Sequence, residues 1–219
     1  MKDMQQYISN EIPPLQLTDK VQQALDYVAD YNMTHLPVMR DGIFIGNISS
    51  EELYDADDSQ ALAEINLDLM PFFTRNTTNW FDVLQIFNDN DTNRVPVLND
   101  LNQYVGYYEL STIVEVFAET PFLKEEGNTI IVEKNLSEYS MSEIAQIIET
   151  NNCKLYGLFI SEINQGRIQV AIKLSMGNMN EILQTFRRYE YDIISEHLDD
   201  TYINALKHRS DYLDKYLNL

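Results

Sequence analysis

The chain has 219 residues, of which 44% are hydrophobic, 11% aromatic and 23% charged. This globular composition excludes a disordered, collagen-like or low-complexity protein. Its 15 Lys and Arg stand against 35 Asp and Glu, a formal net charge of −20 that repels phosphate backbones and anionic lipid surfaces, so neither nucleic acid nor a membrane is an expected partner. The excess is uneven: residues 1–124 carry 6 basic and 20 acidic side chains and residues 125–219 carry 9 and 15, and neither part offers a basic stripe.

The opening MKDMQQYISNEIPP lacks the apolar run of a signal peptide, and no apolar stretch reaches the length of a membrane span, so a cytoplasmic protein is expected. An internal repeat follows. Ala24-Leu25 recurs as Val83-Leu84, and Leu36-Pro37-Val38-Met39 recurs as Val95-Pro96-Val97-Leu98, both 59 residues on. Ile45-Gly46 recurs as Val105-Gly106 at an offset of 60, so the intervening turn gains one residue in the second copy. One copy spans residues 8–56 and the other 68–121. The acidic stretch YDADDSQALAEINLD joins them and is expected to include a short helix.

Each copy reads alike. A Pro-containing extended lead-in (EIPPLQL, LMPFFTR) precedes a helix with apolar residues at three-four spacing: Val21, Leu25 and Val28, then Phe81, Leu84 and Phe87. Thr18 and Thr78 stand where N-caps belong, the latter followed by Asp82 in the first turn. A short strand (HLPVM, RVPVL), a hairpin, a second strand (IFIGNIS, QYVGYYEL) and another helix (EELYDA, STIVEVFAE) complete the unit.

After the hinge-like ETPFLKEEGN the pattern changes. TIIVEK reads as a strand, and SMSEIAQIIETNN as a helix with Met141, Ile144, Ile147 and Ile148 on one face. KLYGLFISEI and RIQVAIKLS form a hairpin around Asn164-Gln165-Gly166, Met179 to Tyr189 is a second amphipathic helix, and DIISEHL closes as a strand. This β-α-β-β-α-β order, residues 129–198, is the split-βαβ, ferredoxin-like plan. Residues 199–219 read as a further helix with an apolar stripe that includes Tyr202, Leu206, Leu213 and Leu217. Cys153, the lone cysteine, excludes an intrachain disulfide and falls between helix and strand as a half-buried hydrophobe.

The duplicated part resembles a pair of cystathionine-β-synthase-type (CBS) domains, the Bateman module. The resemblance rests on the Leu-Pro-Val strand, the hairpin and Gly46-Asn47-Ile48-Ser49-Ser50-Glu51-Glu52, which is close to that family's Gly-apolar-apolar-Ser/Thr-x-x-Asp. The segment 129–198 resembles an ACT-type regulatory domain in strand order, and the layout is similar to that of acetoin-utilisation AcuB-like proteins. The implied fold class is α+β: a tandem CBS pair, a βαββαβ ACT-type domain and a C-terminal helix.

In that family the cleft between repeats can hold an adenosine-based ligand, so an adenine nucleotide (AMP, ADP or ATP) or S-adenosylmethionine is the implied ligand class. Pro14 of the lead-in, Leu36 and Val38 of the first Pro-Val strand and Val95 of the second are its implied apolar contacts. Ser49 takes the place of the hydroxyl that bonds the first phosphate, and Glu52 that of the acid that accepts the ribose hydroxyls, one methylene longer than the usual Asp. In the second copy Glu109 falls at the hydroxyl position and Thr112 at the acidic one, so a carboxylate stands where phosphate belongs and opposes it. That cleft is expected to be dead for nucleotides or to take a neutral or cationic ligand. His35 and Arg94, each two residues before Pro37 and Pro96, are the expected pH-sensitive and phosphate-binding side chains. Ser49-x-x-Glu52 also reads as an ordinary capping box.

Catalysis is not expected. His35, His197 and His208 lie on different elements, and no paired-His spacing or Gly-rich phosphate loop occurs; Asp57-Asp58 and Asp199-Asp200 read as solvated surface. The loop Glu133 to Ser140 lacks the Gly through which ACT domains usually meet amino acids, so dimerisation is its simpler role. Two readings stay open: a homodimeric ligand sensor acting on a regulated partner protein, and a degenerate pair serving as a dimerisation or interaction module.

Overall fold

The computed structural model describes residues 4–195. The chain divides into two compact units, Met1–Phe117 and Ala118–Leu219. The helix expected over 199–219, the end of the last expected strand, and His197, His208 and Asp199-Asp200 lie outside the described residues.

The first unit contains two copies of one design. In the first, β1 (Leu15–Gln16) leads to α1 (Val21–Tyr31), β2 (His35–Arg40), β3 (Ile43–Ser49) and the short α2 (Ser50–Tyr54). In the second, β4 (Thr74–Arg75) leads to α3 (Trp80–Asp89), β5 (Arg94–Leu98), β6 (Tyr104–Glu109) and α4 (Leu110–Ala118). Each forms a three-stranded sheet with its first pair parallel and its second antiparallel. The registers repeat: Leu15 pairs with Val38 and Thr74 with Val97, and the ladders slip at Val38/Met39 and at Val97/Leu98. Val21, Ala24 and Val28 of α1 lie in one core and Val83 and Phe87 of α3 in the other, with Leu25 and Leu84 packed at their margins, whereas Phe81, expected on the apolar face, is exposed. The linker contributes one turn of 3₁₀ helix, Leu62–Glu64, whose Leu62 is buried in the first core.

Both N-cap expectations need correction. α3 is capped by Asn79, whose side chain accepts from the N–H groups of Phe81 and Asp82, while the Thr78 hydroxyl accepts from the Arg75 N–H. α1 starts after Lys20 with no side-chain cap. Its first donors go to the linker instead: Val21 N–H to the Gln60 carbonyl at 3.0 Å and Gln22 N–H to the Asp58 carbonyl at 3.1 Å. A backbone partner some forty residues away performs the task expected of Thr18.

The second unit begins with α5 (Pro121–Lys124), so the expected hinge is partly helical, with Pro at its first turn. Then follow β7 (Gly127–Asn135), α6 (Met141–Thr150), β8 (Leu155–Asn164), β9 (Arg167–Ser175), α7 (Met179–Arg188) and β10 (Asp192–Ile193). The antiparallel sheet runs β10-β7-β9-β8, the split-βαβ order, and Ile144, Ile147, Ile182, Leu183 and Phe186 of the two helices share a core with Ile130, Val132, Val170 and Ile172. Gln165 and Gly166, both at positive φ, close the β8–β9 hairpin. β7 runs on to Asn135, so Lys134 belongs to the strand rather than to a ligand loop. Its buried Nζ donates to Glu143 and to the Tyr189 carbonyl at the end of α7 and lies 4.4 Å above the Tyr191 ring. Burial in this cluster pushes the Tyr191 hydroxyl up to about 12. Cys153 is buried.

Candidate functional site

The two repeats meet at equivalent residues. Thr34 and Asn93, 59 positions apart, are joined reciprocally: Thr34 N–H donates to Asn93 Oδ1 at 3.2 Å, and Asn93 N–H to Thr34 Oγ1 at 3.1 Å. Each also anchors the helix of its own repeat, since Ser50 N–H donates to the Thr34 carbonyl and Leu110 N–H to that of Asn93. This is a local twofold axis.

The lead-in segments cross over about the same axis. Ser9 bridges to Tyr107 of the second repeat, and Met70, leading into the second repeat, bridges to Asn47 of the first. Such close passage requires glycine beneath it. A Cβ on Gly106 (φ +156°) would lie 2.3 Å from the Ser9 carbonyl oxygen, and one on Gly46 (φ +146°) would lie 2.7 Å from Leu69 Cβ. The Asn47 amide clamps its strap further, donating to the carbonyls of Met70 and Phe72 at 3.1 and 2.8 Å. Among the described residues, Asn47 Oδ1 is the buried side-chain polar atom that has no hydrogen-bond partner.

Directly opposed residues of an antiparallel pair share a face. Hence His35, Pro37, Asn47 and Ser49 line one face of the first sheet, and Arg94, Pro96, Tyr107 and Glu109 line the equivalent face of the second. The chemistry on these two faces differs. His35 is buried, its ring edge-on to Phe72 at 5.3 Å and its Nδ1 3.1 Å from Thr34 Oγ1. Desolvation lowers its pKa below the ordinary 6.5, against the opposing pull of Asp91 and Glu51. Arg94 donates through Nε and one terminal nitrogen to Glu109 Oε1 at 3.2 and 2.9 Å, and through the other to the Tyr31 carbonyl at 2.8 Å. Its guanidinium also lies 5.5 Å from the Tyr107 ring centre. Arg94 and Glu109 border a cleft of about 470 Å³, lined also by Tyr31, Asn32, Asn93 and Ser111, between the end of α1 and the start of α4.

The remaining expected residues are scattered around these faces. Ser49 caps α2, its Oγ accepting from Glu52 N–H at 3.2 Å. The Glu52 carboxylate turns away from Ser49, accepts from Asp68 N–H at 2.7 Å and lines a separate acidic hollow of about 420 Å³ with Asp55, Asp57 and Glu64. Leu36, Val38 and Val95 are at most 1% exposed, with their side chains in the repeat cores. Pro14 is half-buried just before β1, and Thr112 is half-buried in the first turn of α4. Arg94, Glu109 and Ser111 are therefore brought together, whereas Ser49 and Glu52 are linked only through the cap. Sequence reasoning missed Thr34, Asn93, Asn47 and Tyr107. The 59-residue offset that relates Thr34 to Asn93 was the available signal for the first two. Among the described residues, no three His, Cys, Asp or Glu side chains converge as metal ligands, and no helix is long and apolar enough to cross a membrane.

Residues 3–59 and 68–119 each match the CBS domain family. The first half of this chain is a CBS domain pair. Solved structures similar to it include a CBS domain pair/ACT domain protein from Thermotoga maritima, 20% identical over 53% of this chain and 97% of that one, with a TM-score of 0.48. The CBS domains of a transcriptional regulator from Streptococcus pneumoniae are 20% identical over 52% of this chain and 98% of their own, with a TM-score of 0.47. CBSX2, solved in complex with AMP, is 16% identical over 53% of this chain and 96% of its own, with a TM-score of 0.45. Comparison with curated proteins finds no match.

Proposed function

We propose that this chain is a non-enzymatic regulatory protein whose CBS pair binds an adenine nucleotide or related adenosyl ligand and passes its state to a partner protein. The reading places it in the cytoplasm as a homodimer, with the βαββαβ unit, of ACT type and in an AcuB-like layout, serving assembly rather than amino-acid sensing. The observation that supports it best is the reciprocal Thr34–Asn93 contact. Two repeats joined at matching residues about a local twofold can change their mutual angle when a ligand contacts both. His35 and Ser49, opposed on one face of the first repeat, place no carboxylate where Glu109 stands in the second. A second reading, an interaction module without nucleotide, draws on the engagement of Glu52 with Asp68 and of Arg94 with Glu109.

Thermal unfolding with AMP, ADP, ATP, S-adenosylmethionine and NAD separates the two. A ligand at a hundredfold excess over its Kd stabilises the fold by about 2.7 kcal/mol. Stabilisation by at least one adenine ligand is expected; no shift at millimolar concentration with any of them favours the second reading.

A further inference from the structure

Among the described residues one cation lines the cleft beside α4, and that cation is already matched. Arg94 is 12% exposed at its side chain and Glu109 34%, so the guanidinium is largely withdrawn from water and the carboxylate partly so, and among the described residues no other basic one lines the cleft. All three guanidinium nitrogens of Arg94 are engaged, two by one carboxylate oxygen and one by a backbone carbonyl. The backbone of Glu109 is held in place. It pairs directly with Arg94 across the β5–β6 ladder, and the next residue begins α4. An incoming phosphate therefore meets a net charge of zero and has to lie against the Glu109 carboxylate or strip it of its partner, leaving a partly buried carboxylate unpaired. The equivalent pair in the first repeat, His35 opposite Ser49, holds no carboxylate of its own, although Asp91 and Glu51 act on His35 from neighbouring elements.

We propose that Glu109 is a resident counter-anion that closes the second cleft to phosphorylated ligands and leaves it to ligands without negative charge. The proposal rests on the nucleotide reading above for its ligand class and assigns Glu109 as the residue that sets the charge selectivity of the second cleft. Neutralising it frees Arg94 to serve an external phosphate with charge-assisted bonds.

The test is calorimetric titration of AMP and of adenosine into the full chain and into Glu109→Gln, which retains a hydrogen-bonding side chain beside Arg94, with Glu109→Thr as a second variant should the first fold poorly. The expected result is a gain of AMP binding of at least about tenfold in both variants, lost again when Arg94→Ala is added, with adenosine binding changed by less than about twofold. AMP binding equal in wild type and both folded variants overturns the proposal, as does wild-type AMP binding that disappears in Arg94→Ala. Failure of the nucleotide reading looks different: the wild type binds neither ligand, while a gain of Arg94-dependent AMP binding in Glu109→Gln still upholds the role of Glu109.

Discussion

His35 and Arg94 hold the same strand position in the two repeats, face the same side of their sheets and approach the end of the opposite repeat's first helix. Arg94 reaches the Tyr31 carbonyl at the C-terminus of α1, and Asp91, just past α3, is one of the two carboxylates that act on His35. One repeat therefore carries a permanent charge matched by Glu109, and the other a buried imidazole beside Phe72 whose charged form desolvation disfavours. Duplication preserved the frame of this protein and released the chemistry at its matching positions to diverge. An axis of near symmetry positions both faces, while single side chains decide what each can hold.

The comparison is tested most severely at the two crossing points. Gly106→Ala is expected to cost about 3 kcal/mol, because the new methyl meets a backbone carbonyl at a backbone conformation unsuited to other residues. Gly46→Ala, which meets a side-chain carbon, should cost less, and urea denaturation of the two variants ranks them. A smaller cost for Gly106→Ala would show that the Ser9 crossing is the looser of the two. Asn93→Ala removes the axial contact from one side and should cost about 2 kcal/mol, with a cycle against Thr34→Val showing coupling; additive losses would separate the repeats.

Helix capping gives a gentler contrast. Asn79→Ala should destabilise by about 1 kcal/mol, whereas Thr18→Ala and Lys20→Ala should stay within about 0.5 kcal/mol, since the linker carbonyls serve α1. The smallest effect belongs to His35. Its folded pKa lies below 6.5, so between those two values the unfolded chain binds a proton that the folded chain refuses. Stability is full above that window, falls as pH drops through it and levels off below the folded value. His35→Gln should flatten this slope in urea midpoints measured on both sides of the window.

Much of the architecture was legible in the chain because it depends on short-range periodicity. The three-four spacing of Val21 and Val28, the Pro-Val strands and the Gln165-Gly166 turn each mark their own element, and the 59-residue offset marks the duplication. Thr18 misled because a hydroxyl near a helix start is a local cue, and the donors of α1 found acceptors at Asp58 and Gln60. Leu36, Val38 and Val95 stand beside the Pro positions as a ligand contact would, yet strand alternation and helix packing turn them inward. Ser49-x-x-Glu52 satisfied two local readings at once, and only folding sent the Glu52 carboxylate to Asp68.

By itself, then, the order of residues determined that there are two like repeats and a βαββαβ unit, since hydrophobic period and turn chemistry act between near neighbours. Tertiary structure alone decided that Thr34 meets Asn93, that the lead-ins cross over, and that Glu109 neutralises Arg94. Those contacts join residues distant along the chain or on facing strands, where reach and register rather than composition determine which groups find each other.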